Sequence, residues 1–417
     1  MSSTDVSSRR WPASMRALAH RNFRFYFAGQ AISILGSWVQ QVSLSWLVYR
    51  LTGSAALLGV TSFCALIPLL LVGPLAGAWI DKQNKKKWLI GVQSLMALQA
   101  FLLAFLTWAD LIGTTLIILM SLSLGVLSSF DTPLRQSLIG SFVGPRENLP
   151  NALALNAMLF NAGRFVGPPL AGLLLGLSSE AICFLINGLS FLALIVGLLR
   201  IEGIEPQRAT GSVGKVFREG IAYAWHTWQV RMLILILMAL NITVSAYAVL
   251  LPVFARDVFA GNATTLGWLW GAAGCGAFLG TVFLAHCRRL PALVGAVLAG
   301  VFISATSVLV FTLVTHLAPA MLAMAGTGFG ITVCNVGINM MLQGMAPEQL
   351  RGRVVSFFTS ARFGFDALGG LLAGFAAAAI GAGHTLQVEG GLLLCFVAFL
   401  LTRRKRLRSL VAESHVD

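Results

Sequence analysis

The sequence predicts an all-α membrane protein with twelve transmembrane helices in two six-helix bundles, and three observations support this fold class. Of the 417 residues, 57% are hydrophobic and only 11% are charged, against roughly 25% charged residues in an average soluble domain. Apolar runs of about 20 residues recur along the chain, and each is long enough to cross a hydrocarbon core of about 30 Å. A polar stretch at residues 201–230 divides these runs into six and six.

The apolar runs give the helices in order. We predict them at about 24–49, 54–80, 88–108, 114–141, 151–177 and 181–200, then at 231–255, 265–286, 291–315, 319–345, 353–379 and 386–402. This gives a cytoplasmic N-terminal arm (1–22), a first bundle (23–200), a linker (201–230), a second bundle (231–402) and a basic tail (403–417). The first helix lies behind a polar arm, so we expect no cleavable signal peptide.

The positive charge of the chain follows from its topology. The formal net charge is +14, and the basic residues concentrate in every second hinge and in both terminal segments. The intervening hinges hold only Arg50 and Arg256. By the positive-inside rule, both termini are expected in the cytoplasm. The charge is therefore no indication of a nucleic-acid partner.

The cysteines and histidines give no pattern of a metal or catalytic site. The six cysteines fall singly within or at the ends of predicted helices, without CxxC or Cys/His spacing. We expect no metal, no cofactor and no enzyme activity, and we expect the protein to act as a monomer in the lipid bilayer.

A short hinge between the second and third helices carries the sharpest local motif. The stretch GAWIDKQNKKK at residues 77–87 resembles the G-xxx-D-[RK]-x-G-[RK]-[RK] signature of the major facilitator superfamily, with asparagine in place of the second glycine. Asparagine most readily shares the left-handed conformation of glycine. The resemblance implies a gating motif that closes the cytoplasmic side, and its residues are Gly77, Asp81, Lys82, Asn84, Lys85 and Lys86.

Five ionisable residues lie inside predicted helices, where an isolated charge costs at least about 2.5 kcal/mol. They are Asp131, Arg135, Arg164, Arg362 and Asp366. Two helices carry an acid and a base at i, i+4, which permits local pairing. The pairs either lock helix packing or contain a carboxylate that exchanges a proton during a transport cycle.

Two further features refine that choice. Pro133 lies between Asp131 and Arg135 and loosens the fourth helix there. This favours Asp131 over Asp366 as the proton carrier. Arg164 lies about 18 Å into the fifth helix, close to the bilayer midplane. It is therefore placed to meet either an anionic substrate or Asp131.

The fifth helix also carries a glycine and proline pattern. Gly163, Gly167, Pro168 and Gly172 resemble the G-xxx-GP-xx-GG element of the drug/H+ antiporter branch. Glycines at four-residue spacing let helices approach closely, and proline removes a helical hydrogen bond. We expect this helix to lie at the seam between the two halves.

Polar side chains inside the helices are candidates for a substrate cavity. Each amide among them serves either as a ligand group or as an interhelical hydrogen bond. Trp38 and Trp46 either form an aromatic wall or anchor the interface. The candidate cavity residues are Gln30, Ser37, Gln40, Gln41, Asn241, Asn335 and Asn339.

The chain as a whole resembles the bacterial major facilitator group of siderophore and macrolide exporters. The resemblance is carried by HRNFRFYFAGQAISILGSWVQQ near the start, LPVFARDVF after the seventh helix and APEQLRGRVVSFF before the eleventh. It implies a bacterial inner-membrane exporter that works by alternating access and is coupled to protons. Members often carry an acid on the first helix where this chain has Ser37, which shifts attention to Asp131 and Asp366.

The leading hypothesis is therefore proton-coupled export of a siderophore or an amphiphilic drug-like compound. A lysophospholipid or other lipid transporter of the same fold is one alternative. A non-transporting membrane sensor or assembly protein is another, although the predicted arm and linker are too short to fold as domains.

Overall fold

The computed structural model describes residues 12–80, 83–143, 146–202, 227–287, 290–346 and 348–402. Within these ranges the chain is helical and contains no strand. We label the long segments α1–α12, with α2 and α7 each in two pieces. Their bounds are α1 Arg21–Thr52, α2 Ala55–Leu71 and Gly73–Ile80, α3 Lys85–Trp108, α4 Thr114–Val143, α5 Leu149–Leu177, α6 Glu180–Leu199, α7 Trp228–Ile242 and Tyr247–Val253, α8 Ala263–His286, α9 Leu290–Leu313, α10 Leu317–Met345, α11 Glu348–Ile380 and α12 Ala382–Thr402.

Eleven helices in the described part of the chain are long and apolar enough to cross a membrane. The first piece of α2 is shorter, with 17 residues, and continues through Val72 into Gly73–Ile80. A tight turn precedes it: Gly53 ends α1 in the left-handed conformation (φ 59°), which glycine adopts without strain. The Ser54 side chain then accepts a hydrogen bond from the Leu57 amide and caps α2.

The seventh predicted helix, at 231–255, lies within one candidate membrane span, Trp228–Val258, but the helix is interrupted inside that span. The first piece of α7 ends at Ile242, a short 3-10 turn follows, and the second piece begins at Tyr247. Side chains near the break bond to the preceding turn: Asn241 Nδ2 donates to the Leu237 carbonyl (2.7 Å) and Thr243 Oγ1 to the Ala239 carbonyl (2.6 Å). Such bonds compete with the regular backbone pattern.

Two helix pairs join the N-terminal and C-terminal groups of helices. α2 packs against α11, and α5 packs against α8. Glycines allow both contacts, because a Cβ on Gly59 would lie 2.8 Å from the Gly370 carbonyl oxygen, and one on Gly172 would lie 2.8 Å from the Gly267 Cα. These two pairs form the seams between the halves.

The halves also meet through hydrogen bonds at the end of the molecule that carries Gly53. The Tyr49 hydroxyl donates to Asp257 Oδ2, and Arg256 Nη1 donates to the Tyr49 carbonyl (3.3 Å). We call these three residues the Tyr49 latch. At the opposite end, a Cβ on Gly77 would meet no atom of the described chain within 4 Å. The described contacts thus close the Gly53 end.

Candidate functional site

A cluster of charged and polar side chains lies between the two halves. The Arg164 guanidinium, from α5, interacts with the Tyr247 hydroxyl, which follows the break in α7. Arg362 on α11 is close enough to Arg164 for the two positive charges to interact electrostatically. Arg362 Nε also lies 3.9 Å from Asp366 Oδ2, one turn along the same helix. We call Arg164, Tyr247, Arg362 and Asp366 the central cluster.

The cluster lies near the middle of its helices. Arg164 is about halfway along α5, Arg362 and Asp366 are about halfway along α11, and Tyr247 begins the second piece of α7. Because α5 belongs to one half and α7 and α11 to the other, a relative movement of the halves changes these distances. The cluster is thus positioned to respond to such a movement.

The Arg362 side chain is only 32% exposed and that of Asp366 only 21%. The Arg362 Nε atom is buried and has no hydrogen-bond acceptor among the described residues. An enclosed guanidinium N–H without an acceptor is costly. Arg164 forms no ion pair with a carboxylate of the described residues, so the cluster offers two cationic donors against one carboxylate.

An aromatic wall stands beside the cluster on the side of the Gly53 end. The rings of Trp38 and Trp270 meet edge to face with centroids 5.8 Å apart, and Tyr247 lies 6.1 Å from Trp270. Trp38 is held by the fifth-helix glycines, because a Cβ on Gly167 would approach its side chain to 2.5 Å. Sequence analysis left open whether Trp38 lines a wall or anchors an interface, and the structure places it against Trp270.

The acid and base on α4 form a separate pair inside the N-terminal half. Arg135 is paired with Asp131, and Gln93 Nε2 donates to Asp131 Oδ1 (2.6 Å). The Arg135 guanidinium also lies over the Phe160 ring, 5.4 Å from its centroid. Of the two partners that the sequence left open for Arg164, Asp131 is thus occupied by other groups in this structure.

Several predicted cavity residues form interhelical hydrogen bonds. In the N-terminal half, Gln40 Nε2 donates to Gln99 Oε1 (3.2 Å) and Asn187 Nδ2 donates to Gln40 Oε1 (2.8 Å). In the C-terminal half, Asn241 Nδ2 donates to Asn335 Oδ1 (3.1 Å). These bonds tie α1 to α3 and α6, and α7 to α10.

The remaining cavity candidates have different surroundings. Gln30 is buried, and neither its amide nitrogen nor its amide oxygen has a partner among the described residues. Ser37 and Gln41 are exposed, and the Ser37 hydroxyl donates to the Ser33 carbonyl (2.8 Å). Asn339 accepts a hydrogen bond from Gln343 (3.1 Å).

The predicted gating motif is partly described. Asp81 and Lys82 lie outside the described residues. Asn84 has φ −74°, outside the left-handed region, and caps α3 by accepting a hydrogen bond from the Lys87 amide. The Lys86 ammonium donates to the Ile201 carbonyl (2.5 Å), and Lys85 precedes it at the start of α3. The motif thus joins the start of α3 to the end of α6.

The predicted fifth-helix motif contacts both halves. Gly163 and Gly167 face α1, whereas Gly172 faces Gly267 on α8. The helix remains continuous through Pro168. The motif thus contributes to the α5–α8 seam and to the support of Trp38.

Sequence analysis missed three residues of interest. Tyr247 and Trp270 were overlooked because apolar aromatics are common in membrane helices, although the polar run NITVS before Tyr247 signals the break. The set of five charges inside helices is also incomplete. Glu389 lies inside α12, and also inside the predicted helix at 386–402, but was left out of that set; it is half-buried, and one carboxylate oxygen has no partner in the described chain.

Comparison with known proteins identifies the family. Residues 13–416 match the family described as "Transmembrane secretion effector". The chain belongs to this family of major facilitator transporters. Transporters of this family are not enzymes.

The curated relatives of the chain are named as transporters or efflux proteins. A staphyloferrin A transporter of Staphylococcus aureus is 26% identical, with 94% of this chain and 98% of that protein covered. A multidrug efflux pump, Tap, of Mycolicibacterium fortuitum is 27% identical over 89% of this chain and 93% of the pump. A macrolide efflux protein of Streptococcus pyogenes is 22% identical over 89% and 94% of the two chains.

Solved structures share the fold of this chain at low sequence identity. A POT family transporter in complex with 5-aminolevulinic acid has a TM-score of 0.74 and 11% identity, with 93% of this chain and 97% of that chain covered. A bacterial homologue of the human lysosomal transporter Spinster has a TM-score of 0.68 and 13% identity, with 94% and 97% covered. These structures show the fold alone, whereas the family and the named relatives support export of small molecules across a membrane.

Proposed function

We propose that the protein is a proton-coupled, alternating-access exporter of a small organic molecule, a siderophore or an amphiphilic drug-like compound, in the bacterial inner membrane. The observation that carries the proposal is the central cluster, in which charged groups from both halves meet at mid-depth between the seams. The efflux names of two relatives support the direction of transport.

The proposal includes the topology. α2 crosses the membrane as a twelfth span, so that residues 23–200 and 231–402 form two six-helix bundles and both termini are cytoplasmic. The Gly53 end, which carries Arg50 and Arg256, then faces outwards, and the lysine-rich start of α3 faces the cytoplasm. With the described inter-half contacts at the Gly53 end, this arrangement corresponds to a state open to the cytoplasm.

We assign proton coupling to Asp366 rather than Asp131. Asp366 is half-buried and belongs to a cluster that both halves build, so the rocking of the halves can alternate its access to the two sides. Asp131 is nearly sealed, at 3% exposure, and its partners Gln93 and Arg135 belong to its own half. Protonation of Asp366 neutralises the partner of Arg362 and permits the return of the empty carrier.

Transport in acid-loaded, inside-out vesicles tests this proposal. Staphyloferrin A, erythromycin and 2-naphthoate are added separately, and proton release from the lumen is followed with a pH-sensitive dye. With the wild-type protein, addition of at least one of these compounds should cause protons to leave the vesicle lumen. The Asp366→Asn substitution should abolish that release.

Asp131→Asn is the matched control, since it neutralises a carboxylate inside one half. Rates are normalised to the amount of folded protein. Vesicles that contain the Asp131→Asn variant should still release protons when the substrate is added. Transport into the cytoplasmic side rather than out of it, or full coupling in Asp366→Asn, contradicts the proposal. Comparing metabolites exported by cells with and without the protein, in iron-limited and iron-replete medium, then identifies the natural substrate.

A further inference from the structure

The central cluster has an unbalanced charge. Arg164 and Arg362 each contribute one positive charge and Asp366 contributes one negative charge, so the described ionic groups of the cluster sum to +1 when Asp366 is ionised. Tyr247 adds a hydroxyl next to Arg164. A cation entering this place would add to the excess charge, whereas a monoanion would neutralise it.

The hydrogen-bonding groups point to the same kind of ligand. Arg362 Nε is enclosed and has no acceptor among the described residues, and the Arg164 guanidinium forms no ion pair with a described carboxylate. A guanidinium group recognises a planar oxyanion through parallel N–H donors. A carboxylate or phosphodiester placed between the two arginines would supply the missing acceptors.

The aromatic wall indicates what the rest of the ligand is. The rings of Trp38, Trp270 and Tyr247 pack against one another beside the cationic groups; Trp270 and Tyr247 are buried, and Trp38 is half-buried. The Trp270 Nε1 atom is itself buried without a hydrogen-bond partner in the described chain. Sites that bind small molecules commonly combine such apolar and aromatic walls with a few placed polar groups.

From these observations we infer that the central cluster binds a monoanionic oxyanion joined to an apolar or aromatic body, with the anion on Arg164 and Arg362 and the body against Trp38 and Trp270. The inference rests on the proposed exporter function and names its substrate class. An inside-negative membrane potential favours the outward movement of such an anion. In the proposed cycle the anion leaves outside before Asp366 is protonated, and only the empty carrier returns with the proton.

Equilibrium binding to the purified full-length protein in detergent tests the inference without any need for transport. The probes are 2-naphthoate, its neutral amide 2-naphthamide, and dihexanoylphosphatidylglycerol, a soluble phosphodiester. We expect one of the two anions to bind at least tenfold more tightly than 2-naphthamide. The phosphodiester arm distinguishes a lipid headgroup from a free carboxylate as the source of the oxyanion.

Variants connect the binding to the cluster. Arg164→Gln should weaken binding of the anion at least tenfold and leave the amide unchanged, Arg164→Lys should restore part of the affinity, and Asp366→Asn should tighten anion binding by removing the competing carboxylate. Arg24→Gln, at an exposed arginine outside the cluster, is the control and should not alter binding.

Three results would overturn the inference: equal or tighter binding of the amide, anion binding that Arg164→Gln does not change, or failure of both anions to bind. These results leave the exporter proposal standing, since that proposal depends on energised efflux. Absence of any substrate-linked proton release, with anion binding intact, contradicts the exporter proposal instead.

Discussion

At the scale of single residues, the protein separates its buried charges into two kinds. Asp131 is bound within one half by Arg135 and Gln93. Arg164 and Arg362 lie between the halves, and Arg362 Nε, like Arg135 Nε, has no acceptor among the described residues. A buried pair that is removed as a unit is often tolerated, but a single buried charge left alone is not.

The α4 pair is therefore expected to act in stability. Arg135→Gln should lower the free energy of unfolding by about 3–5 kcal/mol, because it leaves Asp131 buried without its charged partner. The double variant Asp131→Asn/Arg135→Gln should recover most of the loss. Thermal unfolding in detergent measures both, and a double variant less stable than Arg135→Gln alone would contradict this assignment.

A second residue-scale prediction concerns the N-terminal arm. The 3-10 helix Ala13–Ala19 docks on α5 through the Ala17 amide and Asn151 Oδ1 (2.9 Å), and Asn148 Nδ2 donates to His20 Nε2 (2.9 Å). Burial lowers the pKa of His20 from its ordinary value of 6.5. Docking is therefore fully stable above that value, where His20 is neutral in both states, and loses stability as the pH falls through the lower pKa of the docked state.

Hydrogen exchange of the Ala17 amide measures this docking. After correction for the intrinsic rate, exchange should accelerate when the pH falls from about 7.5 to about 5, the range in which histidine titrates. His20→Gln, which stays neutral, should remove the pH dependence. An unchanged pH dependence in His20→Gln would assign the effect to another group.

At the scale of elements, glycines determine how closely two helices approach, and the break in α7 determines the position of the Tyr247 side chain. The seams between the halves depend on Gly59, Gly172 and their partners, whose Cα hydrogens face backbone atoms. The interruption of α7 after Ile242 places Tyr247 at the start of a new helical piece, beside Arg164. The seam glycines and the break in α7 both make the helix less regular, and both lie where the two halves are in contact.

The α5–α8 seam predicts a strong effect for a small substitution. Gly172→Ala places a methyl group about 2.8 Å from the Gly267 Cα, so the backbones must separate, at a cost of about 1–3 kcal/mol. We expect a lower melting temperature and slower export. Gly113→Ala is the matched control, because a Cβ there would meet nothing within 4 Å, and equal effects of the two substitutions would show that the seam is not responsible.

At the scale of the whole molecule, the relevant property is the contact between halves. The described hydrogen bonds of the Tyr49 latch and the bond from Thr264 Oγ1 to the Gly172 carbonyl (3.1 Å) close the Gly53 end. Arg50 braces the latch by pairing with Glu180 (2.7 Å) on α6. Opening of this end must break the latch bonds and the Thr264 bond together, whereas the Arg50–Glu180 pair lies within the N-terminal half.

Removal of the latch should therefore favour the open Gly53 end. Tyr49→Phe deletes a hydrogen bond to a carboxylate, worth about 1.5–3 kcal/mol, and should raise the population open at this end by about tenfold. Spin labels at Leu51 and Val258, both exposed, report the distance across this end in a background without the native cysteines.

The control for the latch is Tyr26→Phe. The Tyr26 hydroxyl bonds to Asn156 within the N-terminal half (3.2 Å), so its loss should not shift the distance between the labels. If Tyr49→Phe and the wild-type protein give identical distance distributions, the Tyr49 latch does not control the opening of the Gly53 end.

Much of the helix pattern was predictable, because it depends on local composition. The starts of α4 and the ends of α3, α5, α8 and α10 agree with the predicted boundaries. The break in α7 was missed because its causes include the approach of α11, where a Cβ on Gly369 would lie 2.6 Å from the Asn241 carbonyl oxygen. Hydropathy along the chain does not contain such a contact between distant segments.

The sequence by itself determined the membrane class, the helical order and the buried charges that need an explanation, since the cost of placing polar groups in hydrocarbon acts residue by residue. The tertiary structure decided which charges meet: Asp131 with Gln93 inside one half, and Arg164 with Tyr247 and Arg362 between the halves. That choice depends on the rotation and proximity of helices far apart in the chain. Electrostatic and hydrogen-bonding interactions follow distance in space, so only the packed helices fix the partners of each charge.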